Sequence, residues 1–164
     1  CIRDSLYSGS NQNETYSDGI GDTYYAVDAN NTDNYPLMGV FSDFNVTVQH
    51  HVQTVCNSTI SDFRLNGTAI TFNIFGADGT EGFCRISIPK ALMNSTYKVF
   101  VNGTEVSYTL LPCSNCSRDF LYFAYNHSTQ EVIIIPEFPL FHVMQILVMA
   151  MLVAVLVYGR KRLG

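Results

Sequence analysis

Apolar and polar residues alternate with a period of two along most of the stretch from Ser42 to Ile135. Ile70, Phe72 and Ile74 fall on one side with Thr71 and Asn73 between them. Cys84, Ile86 and Ile88 repeat the arrangement, as do Tyr97, Val99 and Val101, and then Val106, Tyr108 and Leu110. Successive side chains of a strand point to opposite faces, so this period, carried by β-branched and aromatic residues, predicts strands. Phe120, Tyr122 and Ala124 alternate with Leu121, Phe123 and Tyr125, which predicts a central strand apolar on both sides; Val132 to Ile135 forms the last one. Asn66-Gly67 and Asn102-Gly103 each separate two runs and predict hairpins, because both central turn positions need positive φ. Ala77-Asp78-Gly79-Thr80 predicts a further turn, and Pro89 opens a single helical turn reaching Asn94. Seven or eight short strands with turns every ten residues or so predict an all-β domain over residues 42–135, an antiparallel sandwich of the immunoglobulin-like kind.

The pattern fails on either side. Residues 1–41 are rich in Tyr, Asp, Asn, Gly and Ser, show no helical period and carry Arg3 as their single basic residue. Residues 136–164 hold an apolar stretch, Phe138 to Tyr158, broken by Pro139, His142 and Gln145 in its first third. As a helix it spans about 30 Å, the thickness of a bilayer hydrocarbon core. Arg160, Lys161 and Arg162 follow it, and flanking basic residues stay on the cytoplasmic side. The expected topology is one transmembrane helix at 138–158, a cytoplasmic basic end and everything before it outside.

Charge and sequons bear on the same compartment. Before Phe138 there are fourteen acidic and six basic residues, a net charge of −8, which excludes the basic footprint of a nucleic-acid partner. Asn-x-Ser/Thr occurs at Asn13, Asn30, Asn45, Asn57, Asn66, Asn94, Asn102, Asn115 and Asn126, nine of thirteen asparagines, against about two expected from the Ser and Thr content. The excess predicts an N-glycosylated extracellular surface. The chain begins at Cys1 without a leader, and an exported protein needs one, so a longer precursor or a processed form is expected.

Candidate chemistry is sparse. Cys113-Ser114-Asn115-Cys116 has redox-motif spacing but lies in a turn between strand residues rather than opening a helix, and no second pair completes a zinc site. Structural disulfides are favoured, Cys113–Cys116 locally and Cys56–Cys84 across the sandwich, although four cysteines allow three connectivities. His50 and His51 are adjacent on a strand and point to opposite faces, which disfavours copper. Asp18, Asp22 and Asp28, with backbone oxygens around Gly19 and Gly21, are candidate calcium ligands. The competing reading is an Asp-Gly turn on a solvated acidic face. No catalytic residue is assigned and no other cofactor is expected: paired carboxylates among these aspartates lack any hydrolase signature, and the chain has no tryptophan for a sugar platform.

Pro136-Glu137-Phe138, the apolar stretch and the basic end together resemble the C-terminal sorting signals of archaeal surface proteins. That resemblance implies recognition by a membrane-embedded archaeosortase and cleavage near the motif; the competing reading is an ordinary single-pass anchor. Ser17 to Thr23, Tyr24 to Asp28 and Asp33 to Met38 resemble the closing segment of archaeal surface proteins built on right-handed parallel β-helices. These belong to the broad family of copper-protein maturation factors and carbohydrate-binding or sugar-hydrolase repeats. The resemblance implies that residues 1–41 are the edge of a truncated β-helix. Segments similar to Gly82 to Lys90 and Tyr122 to Thr129 recur before sorting tails in such proteins. The expected function is a non-enzymatic, membrane-anchored surface glycoprotein, with membrane lipid, the processing enzyme and envelope glycans or surface-layer proteins as partners. The alternative is a carbohydrate-binding or carbohydrate-active ectodomain, with its site upstream or on Tyr24, Tyr25 and Tyr35.

Overall fold

The computed structural model describes residues 17–93, 96–113 and 115–137, together with Gln145, residues 148–153 and Tyr158. Its strands in chain order are β1 (Tyr25–Ala26), β2 (Thr32–Asp33), β3 (Val40–Thr47), β4 (His50–Cys56), β5 (Thr59–Asn66), β6 (Ala69–Phe75), β7 (Glu81–Pro89), β8 (Tyr97–Val101), β9 (Thr104–Val106), β10 (Tyr108–Leu111), β11 (Arg118–Asn126) and β12 (Gln130–Pro136). β3 to β12 form two five-stranded antiparallel sheets, ordered β10-β11-β7-β4-β3 and β5-β6-β12-β8-β9. The two sheets run from Val40 at the start of β3 to Pro136 at the end of β12. The sandwich has ten strands rather than seven or eight, arranged five over five instead of the four over three of an immunoglobulin constant domain.

The alternation explains the core. Val52, Cys84, Ile86, Ile88, Leu121, Phe123 and Tyr125 face inward from the first sheet, and Ile70, Phe72, Ile74, Tyr97, Val99, Val101, Val132 and Ile134 from the second. Period-two burial of this kind fixes register, because a one-residue slip would turn each apolar row to the other face. A second apolar cluster lies on the outer face of the first sheet, where Val55, Phe83, Leu111 and Tyr122 pack with Met38 and Phe120. Residues 17–39 cover this cluster. Gly21 donates to the Pro36 carbonyl at 2.7 Å and Met38 to the Gly19 carbonyl at 3.0 Å, closing the segment into a loop that carries the small β1–β2 ribbon. Asp18 anchors it, its carboxylate lying 3.6 Å from the Arg85 guanidinium of β7. β11 is therefore covered on both faces from Phe120 to Phe123, while Ala124 is exposed, and it sits second from the sheet edge rather than at the centre.

Two connections differ from expectation and two form as expected. The β5–β6 loop is Gly67-Thr68, with Asn66 still paired to Ala69; only Gly67 has positive φ, which is Gly-first hairpin chemistry. Asn102 and Gly103 form the expected turn, both at positive φ. Val106, Tyr108 and Leu110 do not share a strand: the chain leaves the second sheet after β9 and enters the first as β10. Leu111, not Leu110, is the buried residue there. The Pro89 turn forms as expected, with Leu92 and Met93 donating to the Pro89 carbonyl.

Most of the helix expected at 138–158, and the basic end Arg160 to Arg162, lie outside the described residues. The described parts, Gln145, residues 148–153 and Tyr158, are helical and exposed. Among the described residues no helix is long and apolar enough to cross a membrane.

Candidate functional site

The loop 17–39 covers only part of the first sheet's outer face. Beyond it opens a cleft of about 460 Å³ lined by Asp43 on β3, His50, His51 and Gln53 on β4, Gln49 in the hairpin between them, and Pro89, Ala91, Ser117 and Arg118. Asp43, His51 and Gln53 share this face because they sit on odd positions of paired strands, Asp43 opposite Gln53. Arg118 reaches over β7: its Nε donates to Ser87 Oγ at 2.6 Å, and one terminal nitrogen donates to the carbonyls of His51 at 2.8 Å and Ser87 at 3.0 Å. Three neutral acceptors hold this guanidinium in place, and no carboxylate pairs with it among the described residues. His51 Nδ1 lies 3.3 Å from Asp43. The cleft meets, at Gln53, a smaller apolar one of about 240 Å³ walled by Ile20, Leu37, Phe41, Val55 and Phe120. Arg85 lies over the Phe120 ring, 5.4 Å from its centroid. Burial pulls the Arg85 guanidinium below its ordinary pKa, and Asp18 pulls it back.

A second polar cluster is buried where β6 crosses to β7. Ser58 Oγ lies 2.8 Å from His127 Nε2 and 2.7 Å from the Tyr125 hydroxyl, while Thr80 Oγ1 meets His127 Nδ1. A serine beside an imidazole resembles a nucleophile and its base. Here the orienting group is a hydroxyl rather than a carboxylate, Ser58 and His127 are buried, and neither lines either cleft above. The cluster instead satisfies buried polar groups and ties the 76–80 turn to β11. A Cβ on Gly76 would strike the His127 ring and one on Gly82 the Tyr125 ring, so both glycines are there for close approach.

The sequence-predicted residues scatter across the molecule. Asn30, Asn45, Asn57, Asn66, Asn102, Asn115 and Asn126 are all exposed; Asn13 and Asn94 lie outside the described residues. Asn57 differs from the rest. Its carboxamide donates to the Glu81 carbonyl at 3.0 Å and accepts from the Phe83 amide at 2.8 Å. Both favoured disulfides are present, but Cys56–Cys84 joins directly opposed residues of neighbouring β4 and β7 within one sheet, with Cα atoms 4.3 Å apart, rather than bridging the sandwich. Cys113–Cys116 closes the loop before β11.

Asp18, Asp22 and Asp28 are not brought together as calcium ligands; among the described residues no group of three or more His, Cys, Asp or Glu could hold a metal. Asp18 is buried against Arg85. Asp28 accepts the amides of Asn30 and Asn31 and the Asn31 side chain, and the Asn30 amide is the main reason its pKa falls below the usual carboxylate value. Tyr24, Tyr25 and Tyr35 are exposed on the loop rather than lining either cleft. Of the sorting motif, Pro136 is still in β12 opposite Tyr97, Glu137 is exposed with its amide on the Thr96 carbonyl at 2.7 Å, and Phe138 lies outside the described residues. The outer-face cleft was not legible in the sequence, because it depends on which half of a sheet a loop leaves bare. Compared with family models, with curated proteins and with solved structures, the chain shows no match.

Proposed function

We propose that the chain is the membrane-proximal part of a non-enzymatic, glycosylated surface protein, a disulfide-bonded sandwich held on a C-terminal membrane segment. The observation that carries this reading is that all seven described sequon asparagines are exposed. An exposed acceptor is what N-glycosylation requires. The two disulfides agree with an oxidising exterior. Residues 148–153 add an exposed helical run of Val, Met, Ala and Leu, which suits lipid better than water. On this reading residues 136–164 are the sorting and anchoring signal, the basic end is cytoplasmic, and residues 1–41 adjoin a larger β-helix domain that the sandwich presents.

Glycopeptide mass spectrometry of native material tests the reading. Glycan mass is expected at Asn66, beside the β5–β6 turn, and at Asn102, in the β8–β9 turn. Bare peptides at both positions would remove its main support.

A further inference from the structure

We propose that the open half of the first sheet's outer face is a saccharide-binding groove, and that its occupant is the chain's own glycan on Asn45. The inference rests on the proposed glycosylation and adds a docking site to it. Three observations carry it.

The first is the charge of the lining. Arg118 offers a fixed cation held only by neutral acceptors, and Asp43 offers a carboxylate on the neighbouring part of the same cleft. A free cation meets the first and an anion meets the second, so the lining favours a neutral ligand rich in both donors and acceptors. The side-chain amides of Gln49 and Gln53 make no hydrogen bond among the described residues and can each donate and accept. A neutral sugar, with hydroxyls on adjacent carbons, matches planar amide, carboxylate and guanidinium groups of this kind.

The second is the shape. A cleft of about 460 Å³ falls within the range of small-ligand sites, and at Gln53 it continues onto the apolar wall of Phe41 and Leu37. The C–H face of a sugar ring packs against such a wall while its hydroxyls turn to the polar side.

The third is the attachment point. Asn45 stands two residues from Asp43 on the same face of β3 and directly opposite His51 on β4. Opposed residues have Cβ atoms about 5 Å apart, so a glycan on Asn45 starts at the rim of the cleft. Asn45 is exposed, and its side chain makes no hydrogen bond that a glycan would displace.

The test uses the full chain from a glycosylating host, in a detergent without a sugar headgroup. Glycopeptide mass spectrometry first reads the occupancy of Asn45. Thermal melting then compares the parent with Asn45→Gln, with Gln49→Ala/Gln53→Ala, and with the three combined. Asn45→Gln is expected to lower Tm by about 4 °C in the parent and to leave the Gln49→Ala/Gln53→Ala background unchanged. If the paired variant does not melt cooperatively, Gln49→Ala alone, in an exposed hairpin, replaces it. A bare Asn45 overturns the inference together with glycosylation at that position, while occupancy of the other sequons decides the general reading separately. An occupied Asn45 whose loss has the same effect in both backgrounds overturns the docking alone.

Discussion

Thr54 is buried on the inner face of β4 between Val52 and Cys56, and its hydroxyl has no hydrogen-bond partner among the described residues. An unpaired buried hydroxyl costs about 1–3 kcal/mol, so the near-isosteric Thr54→Val is expected to stabilise the sandwich by about 1 kcal/mol, read as a higher urea midpoint. A lower midpoint would mean that the hydroxyl is satisfied in solution. Asn57 shows the limit of a motif read without structure. As a sequon it looked like the other eight, yet its carboxamide is spent on the β7 backbone at two points. It is expected to be the least occupied sequon by glycopeptide analysis, and Asn57→Ala to cost about 1–2 kcal/mol by leaving the Phe83 amide unpaired. Two tyrosines set the alkaline limit. Burial pushes Tyr125 up to about 12, with Ser58 opposing, and burial with a 2.7 Å hydrogen bond to Asp119 pushes Tyr97 higher still. Both stay protonated when folded at a pH where the unfolded chain releases the proton near 10, so they contribute stability that is full below about pH 10 and is lost as pH rises above it. The urea midpoint is expected to fall between pH 10 and 12, and to fall less steeply in Tyr97→Phe. An equal slope in that variant would place the titration elsewhere.

Elements were legible in proportion to how locally their residues are determined. Ile70, Phe72 and Ile74 predicted β6 correctly because a half-buried strand writes its own period. Asn102-Gly103 predicted its turn for the same reason. Asn66-Gly67 misled by one residue, since Gly67 serves equally well at the first position of a Gly-first loop and the cross-strand pairing decided between them. Ser107, which separates two strands of different sheets, has no local signature at all. The cysteines likewise named the pairs but not the sheet. Cys56–Cys84 closes a loop of 28 residues and Cys113–Cys116 one of only 3. Loop-closure entropy then assigns about 3.6 kcal/mol to the first and about 1.6 kcal/mol to the second. Cys56→Ser/Cys84→Ser is expected to lower the unfolding free energy by clearly more than Cys113→Ser/Cys116→Ser, by equilibrium urea unfolding under non-reducing conditions. The reverse order would show that the 113–116 link supports more than its own loop.

At the scale of the whole molecule, the sandwich and the proposed membrane signal join without a linker, and this makes the signal testable without disturbing the fold. Pro136 is the last residue of β12, and Glu137 is tied to Thr96 only through its backbone, its amide donating to the Thr96 carbonyl and its carbonyl accepting from the Thr96 hydroxyl, while its side chain is exposed. Alanine at 137 keeps that amide, and alanine at 136 adds a donor at a strand end where none is required. Pro136→Ala/Glu137→Ala should therefore melt within about 2 °C of the parent, the scale of a surface substitution. A carboxylate at the membrane edge stays hydrated, so its loss should not alter insertion either. Processing under the sorting proposal needs the motif, the apolar segment and the basic end together, whereas a plain anchor needs only the last two. In a host that carries the processing enzyme, the parent is expected to lose the peptide beyond the motif and migrate faster. The double variant is expected to keep that peptide and remain in the membrane fraction. If mass spectrometry finds the tail peptide in parent and variant alike, the segment is an ordinary anchor. If neither protein fractionates with the membrane, the apolar stretch after Glu137 belongs to a different arrangement, and the outward placement of the sandwich loses its basis.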